Sequence, residues 1–232
     1  DNLPTEMGAL RIRYKSFNLG RMTNEKVFSK AFDVYNQGEE PFTFLSEYEA
    51  PDNLHVVFEP STIAPGELGA MTLNYDPTNP ELLGFNSHKL LINTDELEGG
   101  QKSFNVLATI EEYFAKLSKE EAMKVPILTL STDQYEFGTV DQGEIVTGVF
   151  TITNNGVNPL EIRTTRSNCD CTKAQMDKSS IASGESTNLR VMFDTVGRKG
   201  NQMKMVTIFS NDPNHPTQTV MLKGKVSFEE ID

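Results

Sequence analysis

The chain of 232 residues carries 33 acidic and 21 basic side chains, a formal charge of −12, with 37% hydrophobic and 23% charged residues. That balance is an ordinary globular one, and the length suits two domains of roughly a hundred residues or a little more. Net negative charge repels phosphate backbones, which argues against nucleic-acid binding and against docking on anionic lipid, and no apolar run approaches the roughly 18 residues of a membrane span.

The acidity is uneven. Residues 1–116 hold 18 acidic and 9 basic side chains, whereas residues 117–232 hold 15 and 12. The chain opens Asp1-Asn2-Leu3-Pro4, with no Met and no basic stretch leading into an apolar one. It reads as a mature or trimmed chain, and an exported protein whose signal peptide has been removed is the expectation.

In the first half, Phe32 and Val34 alternate up to Asn36-Gln37-Gly38, a turn signal in which Asn and Gly tolerate positive φ. Pro41 then opens a second run, Phe42 with Phe44, where a missing N–H is tolerated. Ile63-Ala64-Pro65-Gly66-Glu67 follows, with Pro and Gly placed as a type II turn requires. Met71, Leu73 and Tyr75 alternate next, then Leu90 with Ile92, and Phe104 with Val106.

Between the halves, Ser118 stands three residues before Glu121, a capping-box spacing, and Pro126 ends the stretch. One or two helical turns are predicted over a linker at 115–126, with Tyr113, Phe114, Leu117 and Met123 available for an interdomain contact; the alternative is an extended tether.

The second half then repeats the first. Ile152-Thr153-Asn154-Asn155-Gly156-Val157-Asn158-Pro159-Leu160 lies 118 residues after Val34–Phe42, and the same offset relates Ile181-Ala182-Ser183-Gly184-Glu185 to the Pro65-Gly66 turn. Val191-Met192-Phe193-Asp194 matches Leu73-Asn74-Tyr75-Asp76, and Phe137 is set against Phe17. Towards the ends the offset slips, pairing Asp212 with Asp95 and Val220 with Phe104. The alternation recurs at Phe150 and Ile152, Leu160 and Ile162, Leu189 to Phe193, Val206 and Ile208, and Val220 and Leu222. Each such run has one buried and one wet face. About seven short strands per copy, with regular turns, predict an all-β chain of two tandem immunoglobulin-like sandwiches, at 1–114 and 127–232. With no Trp in the chain and no Cys in the first copy, the antibody core of Trp against an inter-sheet disulfide is excluded. An eight-stranded barrel is the alternative.

Both cysteines fall in Ser167-Asn168-Cys169-Asp170-Cys171-Thr172, in the second copy alone. In an extended strand their α-carbons would lie roughly 6–7 Å apart on one face, near the limit for a disulfide and strained if closed over one residue. Cations nearby in sequence or across the expected hairpin (Arg163, Arg166, Lys173, Arg198 and Lys199) would favour a thiolate. The readings that stay open are a structural loop base, a redox or disulfide pair, and a soft-metal pair completed by a partner. His55, His88 and His215 lie on separate segments, so they predict no shared metal or triad, and no phosphate-loop, dinucleotide, nucleophile-elbow or zinc-protease pattern occurs. Asp76 and Asp194 read as turn caps, and Met203 and Met205 as core and rim filling.

From Phe137-Gly138-Thr139-Val140 through the Asn154 turn to Ser167-Asn168-Cys169-Asp170-Cys171-Thr172, and again at Phe193–Gly200 and Ser210-Asn211-Asp212, the chain resembles the bacterial domain of unknown function 1573 family. The resemblance covers 127–228 closely and the first copy only through the repeat. The family's usual Ser-Cys-Gly-Cys-Thr is altered here: Asn168 is inserted and Asp170 replaces the Gly. The resemblance implies an immunoglobulin-like fold, close to pilus-chaperone and sperm-protein domains. It further implies export in Bacteroidetes-like bacteria to the periplasm or cell surface, often with a lipid anchor, and it implies no activity.

The expectation is therefore a non-catalytic binding or scaffolding protein with no cofactor and no resident metal. It would contact a protein partner through sheet edges or end loops. The functional loop would comprise Cys169, Asp170 and Cys171 with Arg166, Lys173, Arg198 and Lys199. The rival is a thiol-redox or soft-metal accessory built on Cys169 and Cys171. A carbohydrate-binding module would want exposed aromatic platforms, and the chain has no Trp and six Tyr.

Overall fold

The structure, a computed structural model, describes residues 3–227. The chain divides after Tyr113 into two compact units. The first contains β1 (Thr5–Met7), β2 (Leu10–Ile12), β3 (Ser16–Thr23), β4 (Phe28–Asn36), β5 (Phe42–Glu49), β6 (Leu54–Glu59), β7 (Thr62–Ile63), β8 (Leu68–Tyr75), β9 (Gly84–Thr94) and β10 (Gln101–Glu111). They form two sheets, ordered β1-β2-β4-β8-β6 and β3-β10-β9-β5-β7.

The second contains a single-turn helix α1 (Lys119–Ala122), then β11 (Leu128–Leu130), β12 (Gln134–Asp141), β13 (Ile145–Asn154), β14 (Leu160–Ser167), β15 (Thr172–Met176), β16 (Ser180–Ile181), β17 (Ser186–Asp194), β18 (Gly200–Ser210) and β19 (Thr217–Ser227). Its sheets run β11-β13-β17-β15 and β12-β19-β18-β14-β16. Both domains are immunoglobulin-like sandwiches. The strands beyond the expected seven per copy are mostly pieces of two or three residues, too short to show an alternation.

The alternating residues make the cores. Val34, Phe42, Met71, Leu73, Tyr75, Leu90, Ile92, Phe104 and Val106 are buried in the first domain, and their counterparts Ile152, Leu160, Leu189, Val191, Phe193, Val206, Ile208, Val220 and Leu222 in the second. Removing one such side chain from water is worth about 1.5–3 kcal/mol. Met203 departs from the expectation. It is exposed, because Val206 and Ile208 fix the even-numbered positions of β18 as the inward ones.

The two turn signals behave differently. Gly66 and Gly184 have φ of +78° and +75°, and Glu67 and Glu185 donate back to Ala64 and Ala182 at 3.1 and 3.0 Å, closing the expected Pro-Gly and Ser-Gly turns. The Asn-x-Gly turns need no positive φ at all: neither Gly38 nor Gly156 adopts one. Gly156 is required for close approach instead, since a Cβ there would fall 2.2 Å from the Val125 carbonyl oxygen. The Asn side chains hold these turns from inside. Asn154 is fully buried; its amide donates to the carbonyls of Asn158 and Ile181 at 2.9 and 3.0 Å, and its oxygen accepts from Gly156 N at 2.9 Å. Asn36 repeats this with Glu40, Ile63 and Gly38 at 2.9, 2.8 and 2.8 Å.

Ser118 caps α1 as its spacing predicts, accepting from Glu121 N at 3.2 Å while Glu121 accepts from Ser118 N at 2.8 Å. Beyond the helix, Lys124 and Ile127 accept through their carbonyls from Asn158 N and Asn155 N, each at 2.9 Å. Tyr113, Leu117 and Met123 are exposed.

Strand pairing corrects two matches between the copies. β3 runs parallel to β10 with Phe17 opposite Val106, and β12 runs parallel to β19 with Tyr135 opposite Leu222. Phe17 therefore corresponds to Tyr135, not to Phe137, which lies at a bulge whose next residue, Gly138, has φ +69°; Gly20 at +84° marks the equivalent bulge in β3. Likewise Asp95 accepts from Thr43 N at 2.7 Å as Asn211 accepts from Glu161 N at 2.8 Å. The partner of Asp212 is thus Glu96: they accept from Leu128 N and Ala9 N at 3.0 and 2.8 Å.

Candidate functional site

The Cys169 segment leaves β14 as a turn, not as an extended strand. Thr172 N donates to Cys169 O at 3.1 Å, and the two α-carbons are 5.1 Å apart, inside the range a disulfide spans. The expected 6–7 Å separation does not apply, because it presumed extended backbone. Cys169 and Cys171 are joined to each other by a disulfide. In this oxidised state no thiolate pair is available to a soft metal. Among the described residues no group of three or more His, Cys, Asp and Glu side chains is arranged to hold a metal ion.

Around the cystine the loop is held by Ser167, whose hydroxyl donates to the carbonyls of Cys169 and Thr172 at 2.7 and 3.1 Å. Asn168 pairs with Met205 in both directions, N to O at 3.1 Å and Oδ1 from N at 3.0 Å, which fastens the loop to β18. Asp170 is exposed between the sulfurs and keeps negative φ, so the Gly usual in this motif is not required by the backbone here. Cys171 packs against the core, while its N–H donates to Cys169 Sγ at 3.1 Å.

Of the four cations expected here, the structure brings Arg198 to the sulfur, with Nη2 3.7 Å from Cys169 Sγ. Arg166 lies on β14 opposite Thr207. Lys173, on the edge strand β15 opposite Met192, is exposed, as is Lys199, whose carbonyl accepts from Gln202 at 2.8 Å. The cation that sequence reasoning missed is Lys204. It occupies an inward position of β18, in step with Val206 and Ile208, and its ammonium sits 4.9 Å from the centre of the Phe193 ring. Burial pushes its pKa down, and the Arg198 charge pushes it further.

The remaining candidates are dispersed. His88 shares a hydrogen bond of 2.8 Å with Tyr75 OH, while His55 and His215 are exposed elsewhere. Asp76 and Asp194 cap turns as expected, accepting from Thr78 N and Val196 N, each at 2.9 Å. Among the described residues no helix is long and apolar enough to cross a membrane.

Several solved structures are similar to this chain to different degrees. A protein of unknown function from Porphyromonas gingivalis is 19% identical, with a TM-score of 0.62 over 94% of this chain and 100% of its own. A PapD-like domain of human CEP192 is 12% identical, with a TM-score of 0.38 over 52% of this chain and 96% of its own. The YadV chaperone is 12% identical, with a TM-score of 0.32 over 92% and 100%. No curated protein matches. Residues 128–226 match the model of the family described as protein of unknown function DUF1573. The match to that family model thus runs from the first to the last strand of the second domain, and the first domain lies outside it.

Proposed function

We propose that the chain is an exported, non-catalytic binding or scaffolding protein that contacts a protein partner through its sheet edges and end loops. The observation that carries this reading is β15. It pairs with β17 on one side only, stands last in its sheet, and begins directly after the cystine loop. Its backbone groups on the free side are a template for an added strand, and its outward Lys173 and Gln175 are exposed. The first domain repeats the feature in β6, whose outward residues are His55 and the exposed Val57.

Export to the periplasm or cell surface belongs to the same proposal. A cystine persists in an oxidising compartment and is rare in a reducing one.

A photo-crosslinking residue placed at Gln175 is expected to capture one discrete protein in envelope extracts of a bacterium expressing the chain. Ala174→Pro, which removes an edge N–H, should abolish the adduct. Absence of any adduct at both Gln175 and Val57 would remove the edge-pairing reading.

A further inference from the structure

The second domain holds two cations without a carboxylate counter-charge among the described residues, Arg198 beside the cystine and Lys204 over the Phe193 ring. Arg198 and Lys204 form no ion pair with a carboxylate among the described residues. Arg198 Nε–H is buried with no acceptor among the described residues. A guanidinium does not deprotonate, so it cannot escape this cost as a carboxylic acid or amine would. Such an arrangement is relieved when a negative charge arises beside it. Among the described residues, the atom against the guanidinium head that can acquire one is Cys169 Sγ, 3.7 Å from Nη2.

We infer that the Cys169–Cys171 disulfide is a thiol–disulfide exchange site, in which Cys169 is the leaving sulfur and Arg198, backed by Lys204, is the counter-charge for its thiolate. The two sulfurs are not equivalent. Cys169 Sγ has the guanidinium and the Cys171 N–H directed at it. Cys171 Sγ has only the Thr172 hydroxyl at 3.8 Å and packs against the apolar core. The thiol of lower pKa leaves faster, so cleavage is directed to put the electron pair on Cys169. Cys169 and Cys171 are both half-buried residues, and the exposed Asn168 and Asp170 leave the loop open to a partner.

The co-reactant is a dithiol. One of its thiolates attacks Cys171 Sγ, forming a mixed disulfide as the Cys169–Cys171 bond breaks and its electron pair passes to Cys169. The dithiol's second thiolate then attacks its own sulfur in the mixed disulfide. That closes the dithiol's disulfide and expels Cys171 as a thiolate, which takes a proton from water. Two electrons pass to the cystine. The dithiol gives up two protons, one matched by the proton on Cys171 and one released because Cys169 stays ionised. This chemistry stands apart from the binding proposal, since a small dithiol suffices to test it.

Single-cysteine chains separate the two sulfurs. In Cys171→Ser, alkylation by iodoacetamide across pH should place the Cys169 thiol at least about one unit below the ordinary thiol value near 8.5, while Cys171 in Cys169→Ser should not fall below it. Adding Arg198→Gln should return Cys169 towards the ordinary value, and Arg198→Lys should restore much of the depression. In the two-cysteine chain, reduction by dithiothreitol at pH 7 should slow about tenfold in Arg198→Gln and severalfold in Lys204→Gln, with Lys173→Gln unchanged. If Arg198→Gln fails to fold, Arg198→Lys and Lys204→Gln carry the same comparison. A Cys169 thiol titrating no lower than Cys171, or reduction as fast in the Arg198 and Lys204 variants as in the native sequence, would overturn the assignment.

Discussion

Lys102 extends its ammonium from β10 into the interior of the first domain and there meets the carboxylate of Glu96. The Lys102 side chain is 1% exposed, that of Glu96 13%. The ammonium also donates to Gly99 O at 2.7 Å, and Glu96 accepts from Thr94 Oγ1 at 2.6 Å and Ala9 N at 2.8 Å. This pair ties the β9–β10 hairpin to the β1–β2 turn. Glu96→Gln would leave the ammonium buried without its counter-charge, and we expect a loss of about 3 kcal/mol, read as a lowered denaturant midpoint.

The same pair predicts an acid limit. Burial works to raise the Glu96 pKa, but hydrogen bonds from Lys102, Thr94 and Ala9 outweigh it and the net shift is downward. A group whose folded pKa is depressed contributes stability that is fully present above its unfolded value. That contribution is lost as pH falls through the folded one. Unfolding of the native chain should therefore become easier as pH drops below the ordinary glutamate range, and Glu96→Gln should flatten that slope. Equal slopes in both proteins would contradict this.

Asn154 and Asn36 are expected to be more sensitive than ordinary turn residues. Asn154→Ala removes this buried side chain's bonds to Asn158, Ile181, Gly156 and Ile127, which should cost about 2–3 kcal/mol. Thermal unfolding of the single substitutions, each compared with Asn155→Ala as an exposed control, measures the difference.

The glycines should rank by cause. Gly156→Ala drives a methyl into the Val125 carbonyl oxygen and should destabilise severely, because backbone must move. Gly184→Ala meets open space but must hold φ near +75°, a strain of about 1–2 kcal/mol. A larger effect at Gly184 than at Gly156 would refute the steric reading.

The native chain should present no titratable thiol without reductant and two after reduction under denaturing conditions. Ellman titration checks this directly.

Much of the fold is readable because each core strand buries one face: Leu189, Val191 and Phe193 announce themselves by alternation alone, and Pro65-Gly66 announces its turn by φ preference. Other features have no local signature. The parallel pairing that aligns Phe17 with Tyr135 joins the two ends of a domain, so nothing near either residue reports it. Asn154 looks identical in sequence whether its amide faces water or the core. The 5.1 Å separation of the cysteines depends on a turn stabilised by Ser167 and by Met205 on another strand. Lys204 is legible only once Val206 and Ile208 are taken to set the inward parity of β18, after which a lysine in that series stands out.

The parallel ladders β3–β10 and β12–β19 place the earliest long strand of each domain beside its last. A ribosome delivers those two strands nearly ninety residues apart, so neither sandwich can complete that sheet until its final strand has emerged. Each domain is in this sense locked by its own tail. A chain cut short before Gln101 or Thr217 would leave β3 or β12 without the neighbour it pairs with, and with it a raw sheet edge open to aggregation.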